Sequence, residues 1–302
     1  MLQVLLSGLA IGAVYGLVAM GFAIAFYVTR VINFAQGQLL MVAVMVTAAI
    51  ARTGASPVLA IVCGILAAGA VGVLTYLVAV RPVLAFDRFS FAWLVSTLGV
   101  ALILENLAAI IWGPTSRSFP TLLSGTSVHV GGATLTLQEV VTIAVAIVLA
   151  VAFEVVRKRT LFGKLGMAIA YDPEMARAIG ANTTLFAIVA FAAAGVFAGV
   201  AGVLIGPITY SNPYLGDTYG IAGFVALMIG GTERPVAAMV GGLLLGVLGE
   251  GANRLINTQA SDWFPFVVVV VILLLMPEGL FSIGGRLSGL LRGATRPREA
   301  AS

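Results

Sequence analysis

Apolar residues run through the chain in nine long blocks separated by short polar segments. Most blocks hold about 20 residues, the length that carries an α-helix across the hydrocarbon core of a bilayer. The pattern therefore predicts an all-α, polytopic membrane protein with about eight to ten transmembrane helices in a single domain over residues 1–302. The blocks are Leu2–Tyr27, Phe34–Ala51, Pro57–Val80, Phe91–Trp112, Gln138–Val156, Leu185–Ile208, Tyr219–Gly231, Val236–Leu255 and Trp263–Ile283.

The seventh block is the shortest, so it is either a full crossing or a re-entrant half-helix. Basic residues discriminate between these alternatives, because cytoplasmic loops are enriched in Lys and Arg. With nine crossings and the N-terminus outside, thirteen basic residues lie in the cytoplasm and three outside, whereas a re-entrant seventh block gives nine against seven. We therefore expect the first arrangement, with the loop 157–184 and the tail 284–302 in the cytoplasm.

Composition agrees with a membrane protein and argues against several other classes. The chain is 61% hydrophobic and 9% charged, with a mean hydropathy of +1.12, whereas soluble domains carry roughly 25% charged residues. The net charge of +4 does not suggest a nucleic-acid-binding protein, because the basic residues lie at the ends of apolar blocks. One cysteine (Cys63) and one histidine (His129) do not make a metal site. No Gly-x-x-x-x-Gly-Lys-Ser/Thr phosphate loop is present, so any ATPase is expected in another chain.

Small residues recur four positions apart within several blocks. This spacing places them on one helix face, where missing side chains let a second helix approach closely. We predict close helix packing there, and the sequence leaves open whether such helices also slide against each other. No internal repeat is apparent by eye. The pairs are Gly12 and Gly16, Gly195 and Gly199, Gly202 and Gly206, and Gly242 and Gly246.

Polar side chains within the blocks mark a candidate substrate pathway. Asn33, Gln36 and Gln38 surround Gly37 at the start of the second block, and such groups are costly in hydrocarbon unless paired or wetted. A broken helix start here would offer freed backbone groups to a polar substrate. Hydrogen bonding to neighbouring helices is the alternative.

Two blocks also carry carboxylates, which are functional candidates by default inside a membrane. Glu105 and Asn106 lie deep in the fourth block and join the candidate pathway, although Glu105 could instead face an external vestibule. Glu250 precedes Arg254 by four residues, the spacing of an ion pair on one helix face. Nothing combines a nucleophile with a base, so no catalytic residue is predicted.

The loop 157–184 carries the signals of a short helix. Asp172 is a good N-cap, Pro173 suits the first helical position, Glu174 suits the helix dipole, and Gly180 is a natural stop. About two turns fit between these residues.

This short helix has a small apolar face. Met175 and Ile179 are four residues apart, with Ala176 beside them. A helix of this kind is a docking element for another protein, while a helix lying on the membrane surface would need a larger apolar face. Simple anchoring of two membrane helices by a charged loop is the alternative.

Several motifs, in order along nearly the whole chain, resemble the permeases of branched-chain amino acid ABC importers of the LivH type. They are Tyr15-Gly-Leu-Val-Ala-Met-Gly21, Val31-Ile-Asn-Phe-Ala-Gln-Gly37, Leu161-Phe-Gly163, Ala178-Ile-Gly180, Gly195, Gly199, Ala201-Gly-Val-Leu204, Leu227-Met-Ile-Gly-Gly231 and Pro277-Glu-Gly-Leu-Phe281.

The resemblance implies an importer-permease fold in a bacterial cytoplasmic (inner) membrane. It implies a second permease subunit, identical or homologous, and a periplasmic or extracellular substrate-binding protein. Two cytoplasmic ATPase subunits would hold ATP and Mg, with no cofactor in this chain. It also implies that the Asp172–Gly180 helix is the coupling helix. The implied coupling residues are Phe162, Gly163, Lys164, Asp172, Pro173, Glu174, Met175, Arg177, Ala178, Ile179 and Gly180.

The chain departs from the family at two positions. The family usually has Arg-Ala soon after the Phe-Gly pair, where this chain continues from Lys164, and it often has Arg where Met276 stands. An Arg fork makes bidentate contacts that Lys cannot copy, so the contacts with the ATPase are left open.

From this resemblance we expect the chain to transport a branched-chain or other apolar amino acid through alternating access, coupled to a separate ATPase. Urea, an amide or a short peptide are alternative substrates. An ion-coupled secondary transporter, with Glu105 or Glu250 carrying a proton, is the rival mechanism. A non-transporting membrane scaffold is the third alternative.

Overall fold

The computed structural model describes residues 2–86, 91–116, 119, 127–130, 133–232, 234–255 and seven positions between 263 and 274. The helices are α1 (Leu2–Thr29), α2 (Gln36–Ala51), α3 (Pro57–Thr75), α4 (Arg81–Phe86), α5 (Ala92–Trp112), α6 (Leu137–Arg159), α7 (Leu161–Tyr171), α8 (Pro173–Ala178), α9 (Thr183–Thr209), α10 (Leu215–Gly230) and α11 (Pro235–Leu255). A π-helical turn, Tyr76–Val80, joins α3 to α4, and the strands are β1 (Ser127–Val130) and β2 (Ala133–Thr136).

Within the described residues, six helical segments are long and apolar enough to cross a membrane, and α2, α7 and α10 are shorter apolar helices. The predicted all-α, polytopic fold is confirmed. The ninth block lies largely outside the described residues, although Val268 packs against the main core. The loop after α5 contains the antiparallel hairpin of β1 and β2.

Local signals fix several helix starts. The Ser56 side chain accepts the Leu59 N–H, with Pro57 at the first helical position of α3. A capping box joins Thr136 and Glu139 at the start of α6, because each side chain bonds the other residue's backbone N–H. These caps satisfy helix-end donors where the chain enters each long segment.

The chain contains an internal duplication that is not apparent by eye in the sequence. Helices α1, α2 and α3 form one triplet, and α9, α10 and α11 form the other. Helices of each triplet pack on helices of the other triplet. The first helix of each triplet packs most extensively against the third helix of the other, as α1 on α11 and α9 on α3. The second helix of each packs on the first helix of the other, as α2 on α9 and α10 on α1. Helices α1 and α9 cross in opposite directions, with Gly21 near Ala194. This is the arrangement of an inverted repeat.

Small residues make the two long helix contacts between the triplets. Helices α1 and α11 run antiparallel, with Gly8 against Gly246, Gly12 against Gly242 and Gly16 against Met239. Helices α9 and α3 also run antiparallel, with Gly195 against Ala68 and Gly199 against Ile65. Gly202 lies against Leu40 of α2, and Gly206 lies against Phe119. Missing side chains thus let backbones touch, which drives helix association in lipid.

The second helix of each triplet is shorter than the hydrocarbon core of a membrane. Helices α2 and α10 have 16 residues each, about 24 Å at 1.5 Å per residue, against a hydrocarbon core of about 30 Å. Gln36 of α2 begins level with the middle of α9, bonding the Ala194 carbonyl. Tyr219 of α10 stacks beside Tyr15, part-way along α1. The chain therefore returns into the bundle before each short helix starts.

The seventh block is such a short helix, α10, and the chain that follows it lies at the loop end of the bundle. Arg234, just after α10, lines one cavity together with Arg30, Arg157 and Lys158. Arg234 therefore lies at the same end of the molecule as the 157–184 loop, as the charge count predicted. The re-entrant alternative, which placed these residues on opposite sides, is wrong for Arg234.

Candidate functional site

The N-termini of α2 and α10 meet inside the bundle and repeat the same local structure. Asn33 accepts the Ala35 N–H at 3.1 Å through its side chain, and Asn212 accepts the Tyr214 N–H at 2.9 Å in the same way. Arg30 and Tyr210, which precede these turns, both adopt positive φ, at 59° and 63°. Each short helix begins three residues after its Asn. Both motifs read Asn-x-x-x-Gly followed by a polar residue.

The polar residues of the two motifs pair across the duplication. The Gln38 amide donates to the Asp217 carboxylate at 2.8 Å. A side chain on Gly37 would collide with the Gly216 carbonyl and with Gly220, so only glycine lets the two helix starts come this close. Glu105 of α5 lies near the Asp217 carboxylate.

We call Asn33, Gln36, Gln38, Glu105 and Asp217 the polar centre. Its amide residues are buried, with Asn33 and Gln36 at 0% exposure and Gln38 at 2%. Among the described residues, Asn33 Nδ2, Gln36 Oε1 and Gln38 Oε1 lack a hydrogen-bond partner. Buried polar atoms are nearly always satisfied, so free ones leave capacity for a polar ligand or water.

Helix α10 offers the polar centre an open face. Asp217 and Thr218 are exposed, as are Tyr214 and Ile221 one turn away on either side. The corresponding helix, α2, is buried almost throughout, because Met41, Val42 and Met45 pack with α5. The approach to the polar centre therefore runs along α10.

Two of the acidic and amide candidates lie apart from this centre. The Asn106 side chain is exposed and its Nδ2 bonds the Leu102 carbonyl of its own helix. Glu250 is bonded by Asn253 at 3.5 Å. The Glu250–Arg254 ion pair suggested by the spacing is wrong, because the salt bridges of the described residues do not include it. Arg254 lies in the last turn of α11 and is exposed.

The predicted short helix exists as α8. Asp172 caps it by accepting the Glu174 and Met175 N–H groups, each at 2.9 Å, with Pro173 at the first position. Gly180 follows with φ of +91°, the left-handed conformation that favours glycine. The preceding residues form a second helix, α7, which was not predicted. Thr160 caps α7 by accepting the Gly163 N–H at 3.0 Å.

The two helices split their apolar residues between the core and solvent. Ala176 is 2% exposed and packs with Ile169 and Phe186, so it does not join the outer face as the sequence suggested. Met175 and Ile179 are 68% and 74% exposed.

Two further apolar side chains of α7 stand out of the same loop. Leu161 is 86% exposed and Tyr171 is 93% exposed. We call Leu161, Tyr171, Met175 and Ile179 the exposed apolar loop residues. All four belong to one loop of otherwise mostly polar and small residues.

The other loop candidates lie around the exposed apolar loop residues. Phe162 stacks on Phe186 of α9 with ring centroids 4.3 Å apart, which fastens α7 to the membrane helices. Gly163 has no room for a side chain against the Arg157 carbonyl. Lys164, Glu174 and Ala178 are exposed. Arg177 donates to the Thr183 hydroxyl at 3.2 Å and so ties α8 to α9.

Residues 4–276 match the family model described as branched-chain amino acid transport system / permease component. The chain belongs to this permease family. It is 30% identical over 294 residues to the high-affinity branched-chain amino acid transport system permease protein LivH of Escherichia coli K12, which covers 92% of this chain and 94% of LivH. It is 28% identical to BraD of Pseudomonas aeruginosa, a permease protein of the same description, over 92% of this chain and 95% of BraD.

A shorter similarity extends to a ribose import permease, RbsC of Escherichia coli K12, with 27% identity over 123 residues, or 38% of this chain and 37% of RbsC. No solved structure matches the chain. The permease is a multi-pass membrane protein and a transport component rather than an enzyme.

Sequence reasoning missed Asp217 as a member of the polar centre. The signal was present as the spacing of Asn212, Gly216 and Asp217, which repeats that of Asn33, Gly37 and Gln38 at an offset of 179 residues.

Proposed function

We propose that this chain is a membrane-spanning permease subunit of an ATP-driven importer for branched-chain or other apolar amino acids. It stands in a bacterial cytoplasmic membrane with the α7–α8 loop in the cytoplasm. A second permease subunit, an external substrate-binding protein and two ATPase subunits complete the transporter. The ATPase subunits hold ATP and Mg, and this chain converts their closure into alternating access.

The observation that carries the coupling role is the exposure of Met175 and Ile179 on a rigidly capped helix. A free apolar face of this size is unfavourable in water, and a groove on an ATPase would remove it from water. The helix is also joined to the membrane part, because Ala176 packs inward and Phe162 stacks on Phe186. Movement of a docked ATPase would therefore reach α9 through α7 and α8.

The polar centre supports passage of an amino acid. A zwitterion brings an ammonium group, which pairs with carboxylates such as Asp217 and Glu105. Its carboxylate group is stabilised near the N-termini of the short helices α2 and α10, because helix dipoles are positive at that end. The surrounding Ile221 and the apolar bundle suit an aliphatic side chain.

Uptake into proteoliposomes tests this function. The permease is reconstituted with its partner subunits, ATP inside and binding protein outside, and radiolabelled leucine uptake is measured. We expect uptake to require both ATP and the binding protein. Uptake driven by a pH gradient without ATP would instead support proton coupling through the Glu105–Asp217 pair. No uptake of leucine, isoleucine or valine under either condition would contradict the proposed substrate class.

A further inference from the structure

A basic cavity opens at the loop end of the membrane helices, away from the polar centre. It has a volume of about 880 Å³ and is lined from α1, α6, α7 and the turn before α11. Among the described residues, four cationic side chains, Arg30, Arg157, Lys158 and Arg234, surround it with one carboxylate, Glu154. Four cations less one anion leave three positive charges in surplus among its lining residues.

The single carboxylate is already used. Glu154 Oε1 lies 2.7 Å from Arg157 Nη2 and 2.8 Å from Lys158 Nζ. Arg30 donates to the Ala170 carbonyl at 2.9 Å, which orients its guanidinium without neutralising it. The salt bridges of the described residues include neither Arg30 nor Arg234. The described lining residues of the cavity therefore carry a net positive charge, which suits an anion.

Arg30 is held in place by an unusual backbone conformation. Its φ of 59° is in the left-handed region, which disfavours side chains by about 1 kcal/mol or more. In the corresponding turn of the second triplet, the residue that adopts this conformation is Tyr210, whose side chain is neutral. The turn itself therefore does not need a guanidinium, and the positive charge is particular to the end of the molecule where the cavity lies.

An apolar cavity of about 230 Å³ adjoins the basic one and shares Tyr27 and Arg157 with it. It lies between α1, α6 and α9, with Ile24, Phe153 and Val189 among its lining residues. Its walls are almost wholly apolar. Val189, one of its lining residues, is 37% exposed at the surface of α9.

We propose that the two adjoining cavities bind one anionic phospholipid. The phosphate enters the basic cavity, and an acyl chain enters the apolar cavity past Val189. Basic pockets between membrane helices on the cytoplasmic side suit anionic headgroups, and the apolar cavity distinguishes a lipid from a free phosphate. A bound lipid would bridge α1 and α6 to α7 through the residues near Ala170, so it would steady the loop that carries α8.

Native mass spectrometry of the full chain tests the headgroup. The protein in detergent is mixed with equal amounts of dioleoyl phosphatidylglycerol and dioleoyl phosphatidylcholine. We expect phosphatidylglycerol to dominate the bound lipid. Arg234→Gln and Lys158→Gln should each weaken its binding by about fivefold, the usual effect of one basic residue near an anionic lipid. Arg159→Gln is the matched control, because Arg159 ends the same helix, is exposed and does not line the cavity.

Two further measurements separate a lipid from a free anion. Ala193→Phe fills the apolar cavity without changing charge, and it should reduce bound phosphatidylglycerol while the thermal unfolding midpoint stays within a few degrees. Glycerol phosphate, which has no acyl chain, should not displace the lipid at equal concentration. Equal binding of the two lipids, equal loss in Arg159→Gln and Arg234→Gln, or displacement by glycerol phosphate would each overturn the proposal.

Discussion

Substitution of Gly12 tests whether the α1–α11 contact holds the two triplets together. A Cβ added at Gly12 would lie 2.8 Å from the Gly242 carbonyl oxygen and 2.9 Å from Leu243 Cα. Ordinary contact begins at 3.4 Å, so the helices must separate by about 0.6 Å locally (3.4 less 2.8). Both obstacles are backbone atoms, which cannot rotate away.

The expected magnitude is the difference between two opposing effects. Overpacking of a close contact costs about 1–3 kcal/mol, and Gly→Ala inside a helix recovers up to about 1 kcal/mol. Gly12→Ala should therefore destabilise the permease by about 1 kcal/mol. Gly12→Val should destabilise it by more, because both γ-methyl groups also meet α11.

Thermal unfolding in mild detergent, followed by loss of the monodisperse peak, measures this series. Gly99→Ala is the matched control, since a Cβ there meets nothing within 4 Å. The midpoint should fall from wild type to Gly12→Ala to Gly12→Val, and Gly99→Ala should keep or raise it. A Gly12→Ala midpoint as high as that of Gly99→Ala would refute the reasoning.

Two other predictions concern the sites. Asp217→Asn removes the carboxylate that accepts the Gln38 amide at 2.8 Å. We expect the leucine concentration at half-maximal uptake to rise at least about tenfold, as for the loss of one charge-assisted hydrogen bond. An unchanged half-saturating concentration would count against a role of the polar centre in substrate binding. Asp172→Ala removes both capping hydrogen bonds of α8, which lowers the stability of the helix by about 1 kcal/mol. Amide hydrogen exchange in residues 174–178 should therefore become about fivefold faster. Unaltered exchange would mean that the packing of Ala176 alone holds the helix.

The sequence predicted features that depend on local chemistry. Asp172, Pro173 and Gly180 bounded α8 correctly, because capping and left-handed glycine act over a few residues. The lengths of the apolar blocks located the membrane helices, because block length is also a property of consecutive residues. Helix α7 was missed because no separate loop divides it from α6: Thr160 ends α6 and also caps α7.

Features that depend on long-range pairing were not predicted. Asp217 becomes a site residue only because the duplication brings it to Gln38, 179 positions away in sequence. The spacing of Glu250 and Arg254 predicted an ion pair, but Asn253 bonds the carboxylate instead. Helical spacing permits a contact, and competing neighbours decide whether it forms.

The central claim is that α8 transmits ATPase closure through its exposed apolar residues. It is tested most directly by ATP hydrolysis of the assembled transporter, measured with and without substrate-loaded binding protein, in the variants Met175→Asp and Ile179→Asp. Leu255→Asp is the control, since it introduces the same charge at an apolar residue that is 78% exposed at the other end of the membrane helices. The account predicts that the two α8 variants lose stimulated hydrolysis while keeping the wild-type unfolding midpoint, and that the control retains stimulation. Full stimulation in both α8 variants would contradict it.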